Sequence, residues 1–217
     1  MALSCKPEQN SLRWWEFYGY AEALDYDQNI RGVTIGFAGF TTRDGNQPGD
    51  ASGLFAAYQR RGGQDLRPLL KNKKPTALIA VVQKLADDPR WRAAQWERFT
   101  ATYVTDTAIL LKERGFPHPS TLTIAAVLDC AFNQGSDGEA GMRWVAKRVP
   151  ESLRDERAFL QRFLAERAKV AGTRAFNSPP INGINRVKQY QELLKANELD
   201  LKNCDALIKR VTSWEMK

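Results

Sequence analysis

Histidine is almost absent from this 217-residue chain, and cysteine is scarce. The single His118 lies in "FPHPS", between two prolines. It leaves no basis for a Ser–His–Asp triad or a histidine-based zinc site. The three cysteines, Cys5, Cys130 and Cys204, are scattered, with neither a metal-binding spacing nor the even count of a disulfide framework. Cys130 falls in an apolar run and reads as a buried thiol. No stretch approaches the roughly 18 apolar residues of a membrane span. The opening "MALSCKPEQN" lacks the apolar core of a signal peptide. The chain is therefore expected to stay inside, to leave by a signal-less route, or to be a domain cut from a longer protein. The last two are favoured, because the first motif begins almost at once. There is no glycine-rich phosphate loop, no internal repeat and no low-complexity segment.

What is present is an ordinary globular composition, 43% hydrophobic and 26% charged, long enough to bury a core. The net charge of +7 and a pI near 9.4 suit an anionic polymer: nucleic acid, an anionic membrane or bacterial cell wall. Nucleic acid is disfavoured, since the N-terminal aromatics are interleaved with carboxylates, a poor surface for phosphates.

"SLRWWEFYGYAEAL" (11–24) reads as a helix on the spacing of Trp14, Phe17, Tyr18 and Ala21. "GVTIGFAGFTT" (32–42) reads as a strand, with Gly36 and Gly39 as bulges. "RDGNQPGD" (43–50) is turn chemistry that either closes a β-hairpin or leads into a helix capped by Asp50 or Ser52. Helices are predicted over 75–86, 88–115, 119–135, 156–170 and 184–199. The 119–135 segment, capped by Ser120 and apolar on all sides, is the central buried one. The expected class is α+β, mainly helical: a two-lobed, lysozyme-like fold with a small antiparallel sheet near the N-terminus and a long central helix. We expect residues 1–217 to form a single catalytic domain, its small sheet-bearing lobe over about 25–75.

Carboxylates are the remaining source of chemistry. Glycoside hydrolysis needs two of them, an acid that protonates the leaving oxygen and a base or nucleophile opposite. Glu8, Glu16, Glu22, Asp25 and Asp27 stand among Trp14, Trp15, Phe17, Tyr18 and Tyr20. Aromatic walls beside carboxylates can stack on sugar faces and raise the pKa of an acid. Asp25, Asp27 and Asn29 also match positions one, three and five of a calcium loop. Ile30 stands where that loop needs glycine, however, and Gly36 where it needs a bidentate glutamate. Calcium is thus only an incomplete alternative, and no cofactor is expected.

The order "EQNSLRW" (8–14), "YGY" (18–20), "NIRGVT" (29–34), "GFTT" (39–42) and "GD" (49–50) resembles the family 46 chitosanases of the lysozyme superfamily. The resemblance continues more weakly in "DDPRWRAAQ" (87–95), "AVLDCAFNQG" (126–135) and "INRV" (184–187). It implies an inverting glycoside hydrolase with Glu8 as general acid. Arg31 and Thr34 match the base loop, Thr34 helping to hold the attacking water, and Asp50 matches a substrate-binding aspartate. The family's base falls on Asn29, which cannot take a proton from water. The loop is also a few residues longer than in the family and brings in Asp25 and Asp27. Either can inherit the base role, with Asp27 the first choice because it can share the face of Asn29 in an extended segment. The family's usual helix before the acid has no counterpart, since seven residues precede Glu8. Asp129, a carboxylate inside an apolar helix, needs a partner; Arg186 or Arg174 would supply a structural ion pair.

Chitosan is a polycation, and a chain of charge +7 is poorly suited to it. The charge favours peptidoglycan, hence a muramidase on the chitosanase scaffold, with chitosanase as the alternative. A non-catalytic wall-binding module is the reading from another class. Chitosanase-like domains are known in type VI secretion effectors. By that analogy the protein would be made in a bacterial cytoplasm without a signal peptide and would act on the wall of a target cell, with a dedicated immunity protein as partner.

Overall fold

A computed structural model of the protein describes residues 13–23, 32–44, 47–70, 75–177 and 183–202. The chain divides into two compact units, one spanning Arg13–Thr102 and the other taking the residues from Tyr103 onward.

The first unit begins with a 3-10 turn, Trp14–Phe17, and then a strand, β1 (Ala21–Glu22). The continuous helix expected over 11–24 does not form. The Tyr18 carbonyl, which a helix would bond to the N–H four residues on, accepts instead from Trp91 Nε1 at 2.8 Å and Gln95 Nε2 at 2.9 Å. The Tyr20 carbonyl accepts from the Gly36 N–H at 2.8 Å. Long-range partners thus outcompete the local ladder.

The predicted strand over 32–42 is a hairpin, β2 (Thr34–Ile35) and β3 (Phe40–Thr41). Gly36 and Gly39 are not bulges but belong to the turn between them, at φ 72° and 63°. A Cβ on Gly36 would stand 2.1 Å from Gln95 Oε1, so this position needs glycine on two grounds. The sheet order is β1-β2-β3, antiparallel throughout. A second hairpin, β4 (Arg43–Asp44) with β5 (Gln47–Pro48), follows.

Helix α1 (Ala51–Arg60) comes next, then α2 (Arg67–Leu70), α3 (Thr76–Lys84) and α4 (Pro89–Phe99). Asp88 caps α4 by accepting from the Arg90 N–H, with Pro89 at the first position. The core of this unit packs α1 on α4: Trp91 is fully buried, with Phe55 stacked at 6.3 Å and Tyr58 edge-on at 5.4 Å.

A π-helical turn, Thr100–Val104, runs into α5 (Thr105–Glu113). The second unit then adds α6 (Thr121–Gln134), α7 (Met142–Ala146), α8 (Glu156–Ala171), α9 (Arg174–Asn177) and α10 (Gly183–Lys195). Side-chain caps explain two starts, the first of them expected from the sequence. Ser120 accepts from the Thr123 N–H, and Asp155 from the Ala158 N–H. Helix α6 is central because it serves two apolar clusters. Val127, Cys130 and Ala131 face one, with Phe159 and Phe163 of α8. Leu122 and Ala126 face the other, with Leu160, Leu164 and Val187. Truncating one of these leucines to alanine costs about 2–5 kcal/mol. Among the described residues no helix is long and apolar enough to cross a membrane. The mainly helical α+β class, with its small antiparallel sheet, is the one the sequence implies.

Candidate active site

The small sheet sorts its residues by the alternation of a strand. Register pairs Ala21 with Ile35 and Ile35 with Phe40, and both Ile35 and Phe40 are fully buried. The opposite face carries Glu22, Thr34 and Thr41, paired in that order across β1, β2 and β3. Asp50 extends the row, because its Oδ1 accepts from the Thr41 N–H at 2.7 Å. Four polar side chains from distant points of the sequence thus form one line. Thr34 and Asp50 were expected at the site. Glu22 and Thr41 were not given roles, and the signal for them lies in the strand register. Glu22 also accepts a hydrogen bond from the Tyr20 hydroxyl.

Asp50 begins α1, yet its carboxyl does not cap the helix. It is turned back to the sheet, while the Ser52 hydroxyl closes the turn onto the Gly49 carbonyl at 2.9 Å. Gly49 allows that fold-back, since a Cβ there would lie 2.2 Å from the Thr41 carbonyl oxygen. Burial pushes the Asp50 carboxyl above its ordinary value, and the Thr41 N–H and the charge of Arg98 pull it back down. Among the described residues no ion pair occupies this carboxylate, whose hydrogen bonds from Thr41 both fall on Oδ1.

The sheet is fixed to α4 by Gln95. Its Oε1 accepts from the Phe37 N–H at 3.0 Å, and its Nε2 reaches the Tyr18 carbonyl. The aromatics expected as sugar walls divide. Trp14 and Tyr18 turn into a ring cluster with Phe37 and Trp96, whose centroids lie 4.8–6.0 Å apart. Trp15 keeps 53% of its surface exposed.

In the second unit Asp129 is fully buried on α6. Its Oδ1 meets Arg186 Nη1 of α10 at 2.8 Å, and its Oδ2 meets Arg167 Nη2 of α8 at 2.7 Å. Both guanidinium groups are fully buried. Arg167, which sequence reasoning did not identify, also donates to the Ala126 and Asp129 carbonyls, each at 3.3 Å. Cys130 is buried, its thiol pushed up to about 12 by desolvation, and it donates to Gln134 Oε1. It is chemically inert.

Glu8, Asp25, Asp27, Asn29 and Arg31 lie outside the described residues. The calcium alternative, on Asp25, Asp27 and Asn29, lies there too. Among the described residues no group of three or more His, Cys, Asp or Glu could hold a metal ion.

Comparison with known proteins places this arrangement. Residues 2–204 match the family model for glycosyl hydrolase family 46. A chitosanase from Niallia circulans is 35% identical over 238 residues, covering 100% of this chain and 76% of that protein. Two solved structures share the fold. The family 46 chitosanase of Gynuella sunshinyii, in complex with chitotetraose, has a TM-score of 0.74 at 24% identity over 93% of this chain and 89% of its own. The native chitosanase of Bacillus subtilis has a TM-score of 0.73 at 23% identity, with the same coverage. On the extent of the family match and the identity to the Niallia enzyme, this chain belongs to glycosyl hydrolase family 46 and is a glycoside hydrolase.

Proposed function

We propose that the chain hydrolyses β-1,4-linked glucosamine polymers. The observation that carries this reading is the whole-chain identity to a chitosanase. The polar row ending in the Asp50 carboxylate, which no ion pair occupies among the described residues, supports it as a seat for a sugar ammonium. Glu8 protonates the leaving glycosidic oxygen as the bond to the anomeric carbon breaks. A water held by Thr34 attacks that carbon from the opposite face, and Asp27 or Asp25 takes its proton. Arg31 and Asn29 belong to the same motif by resemblance to the family. In an inverting enzyme the two carboxyls stand about 6.5–9.5 Å apart. The reading takes residues 1–217 as one catalytic domain, which the span of the family match supports.

The net charge of +7 pointed to peptidoglycan, and the relatives turn the reading toward chitosan. The physical reason is one of range. Charges on the far surface are screened within about 10 Å at ordinary ionic strength. A polycation therefore responds to the carboxylates of its cleft and not to the total. The charge still supports a second reading, a muramidase acting on peptidoglycan; delivery by type VI secretion from a bacterial cytoplasm to the wall of a target cell, with an immunity protein as partner, joins that reading by analogy alone. Purified protein incubated with chitosan and with peptidoglycan sacculi separates the two. Reducing ends released from chitosan alone support the first reading, and release from sacculi alone overturns it.

A further inference from the structure

Helix α1 begins at the candidate substrate carboxylate, and its first turn contains a glycine, Gly53. A Cβ at Gly53 would meet Arg98 Nε at 2.7 Å, Cζ at 2.8 Å and Nη2 at 3.1 Å. The guanidinium of Arg98, from α4, therefore lies flat against the backbone of that turn, in space that only glycine leaves. Arg98 Nε is buried and has no hydrogen-bond partner among the described residues. A cation this close to a helix start is disfavoured by the helix dipole, so the charge needs a negative group nearby.

The charge has one evident object. Gly53 lies in the first turn after Asp50, so the guanidinium packed against it stands near the Asp50 carboxyl, and its charge draws that carboxyl down against the raising effect of burial. Among the described residues no ion pair joins the two, so Arg98 does not occupy the oxygen that a ligand would use. Thr41 holds Oδ1 from the other side. On β4 the main-chain nitrogen of Arg43 lies beside Gly49. The neighbouring Glu97 is turned away, to Arg60 at 2.5 Å and Arg61 at 2.9 Å.

We propose that Arg98 is the positioning residue that keeps the Asp50 carboxylate ionised, so that the chain grips a cationic sugar in acid. The inference rests on the chitosan reading above. It has a physical motive, because a glucosamine polymer is a strong cation only in acid, where a part-buried carboxyl is prone to take up a proton. A direct ion pair would hold Asp50 ionised but would compete with the sugar ammonium. A cation set back against Gly53 does the first without the second.

The test is the titration of the Asp50 carboxyl by carbon-13 NMR, its signal assigned by loss in Asp50→Asn. In Arg98→Met the midpoint rises by about one pH unit. Arg98→Lys, which keeps the charge, restores most of the wild-type value. Gly53→Ala displaces the guanidinium without removing it and raises the midpoint in the same direction; it decides the matter if Arg98→Met does not fold. In parallel, KM for glucosamine oligomers in Arg98→Met rises about tenfold more below that midpoint than above it, with the change in KM and not in kcat. An unchanged midpoint overturns the proposal, as does a KM raised by one factor at every pH. If the wild type cleaves no glucosamine oligomer, the chitosan reading falls, while the NMR titration still decides the role of Arg98.

Discussion

The main-chain N–H of Thr41 donates to Asp50 Oδ1 at 2.7 Å, tying the end of strand β3 to the start of helix α1. This one bond turns a residue with the chemistry of a helix cap into a member of a polar row on the sheet. It engages one carboxylate oxygen from the main chain, and it makes Asp50 testable apart from the proposed reacting groups.

Asp50→Asn keeps an acceptor for the Thr41 N–H and removes the charge. A hydrogen bond to a charged group is worth about 1.5–3 kcal/mol, so KM for glucosamine oligomers should rise by roughly tenfold or more. Burial raises the carboxyl above its ordinary value, and binding needs the ionised form. Wild-type affinity should therefore weaken as pH falls through that raised value, and the variant should lack this limb. Steady-state kinetics across the acid range reads both, and a variant that retains the limb would remove Asp50 from substrate binding.

Glu8→Gln should lower kcat by roughly a hundred- to ten-thousand-fold, the range of a lost general acid. Asp27→Asn and Asp25→Asn should separate, one with a comparable loss and the other near wild type. Glu22→Gln belongs in the same series, since Glu22 is the cross-strand neighbour of Thr34. Proton NMR of the first product should show the inverted anomer, and a retained anomer would reject the water-activating base.

Asp129→Asn leaves two fully buried guanidinium groups, Arg167 and Arg186, without their carboxylate. Breaking such a buried pair costs about 3–5 kcal/mol, a large part of the stability of a domain. Urea unfolding should show it. A loss under about 1 kcal/mol would mean that water or another anion replaces the carboxylate.

Tyr58 donates to Asp88 Oδ2 at 2.8 Å, and Asp88 also caps α4 and pairs with Arg90. The Tyr58 hydroxyl is pushed up to about 12 by burial and by Asp88. Arg90 and the Tyr58 hydroxyl hold Asp88 well below the usual carboxylate range. A carboxyl whose folded value is depressed stabilises the protein above its unfolded value, and that contribution fades as pH falls toward the folded one. Tyr58→Phe should therefore cost about 1 kcal/mol at neutral pH and progressively less below about pH 4. Thermal unfolding at a series of pH values checks the sign.

Helices were legible wherever their causes are local. Ser120 and Pro89 announce their own helix starts, and the apolar rhythm of α8 survives translation into two packed clusters. The first quarter of the chain was misread where distant groups intervene. Nothing near Tyr18 reveals that Trp91 and Gln95, 73 and 77 residues away, will take its carbonyl and end the helix. The glycines of the β2–β3 turn look like bulges until Gln95 is seen filling the space over Gly36.

The amino-acid order by itself determined the helical class, because periodicity and caps are written within a few residues of one another, and its short motifs carried the resemblance to a family of glycoside hydrolases. Only the tertiary structure decided that Glu22, Thr34, Thr41 and Asp50 share one row, that Arg167 joins Arg186 on Asp129, and that Arg98 lies against Gly53. Each of these depends on strand register or helix packing, which no local pattern encodes.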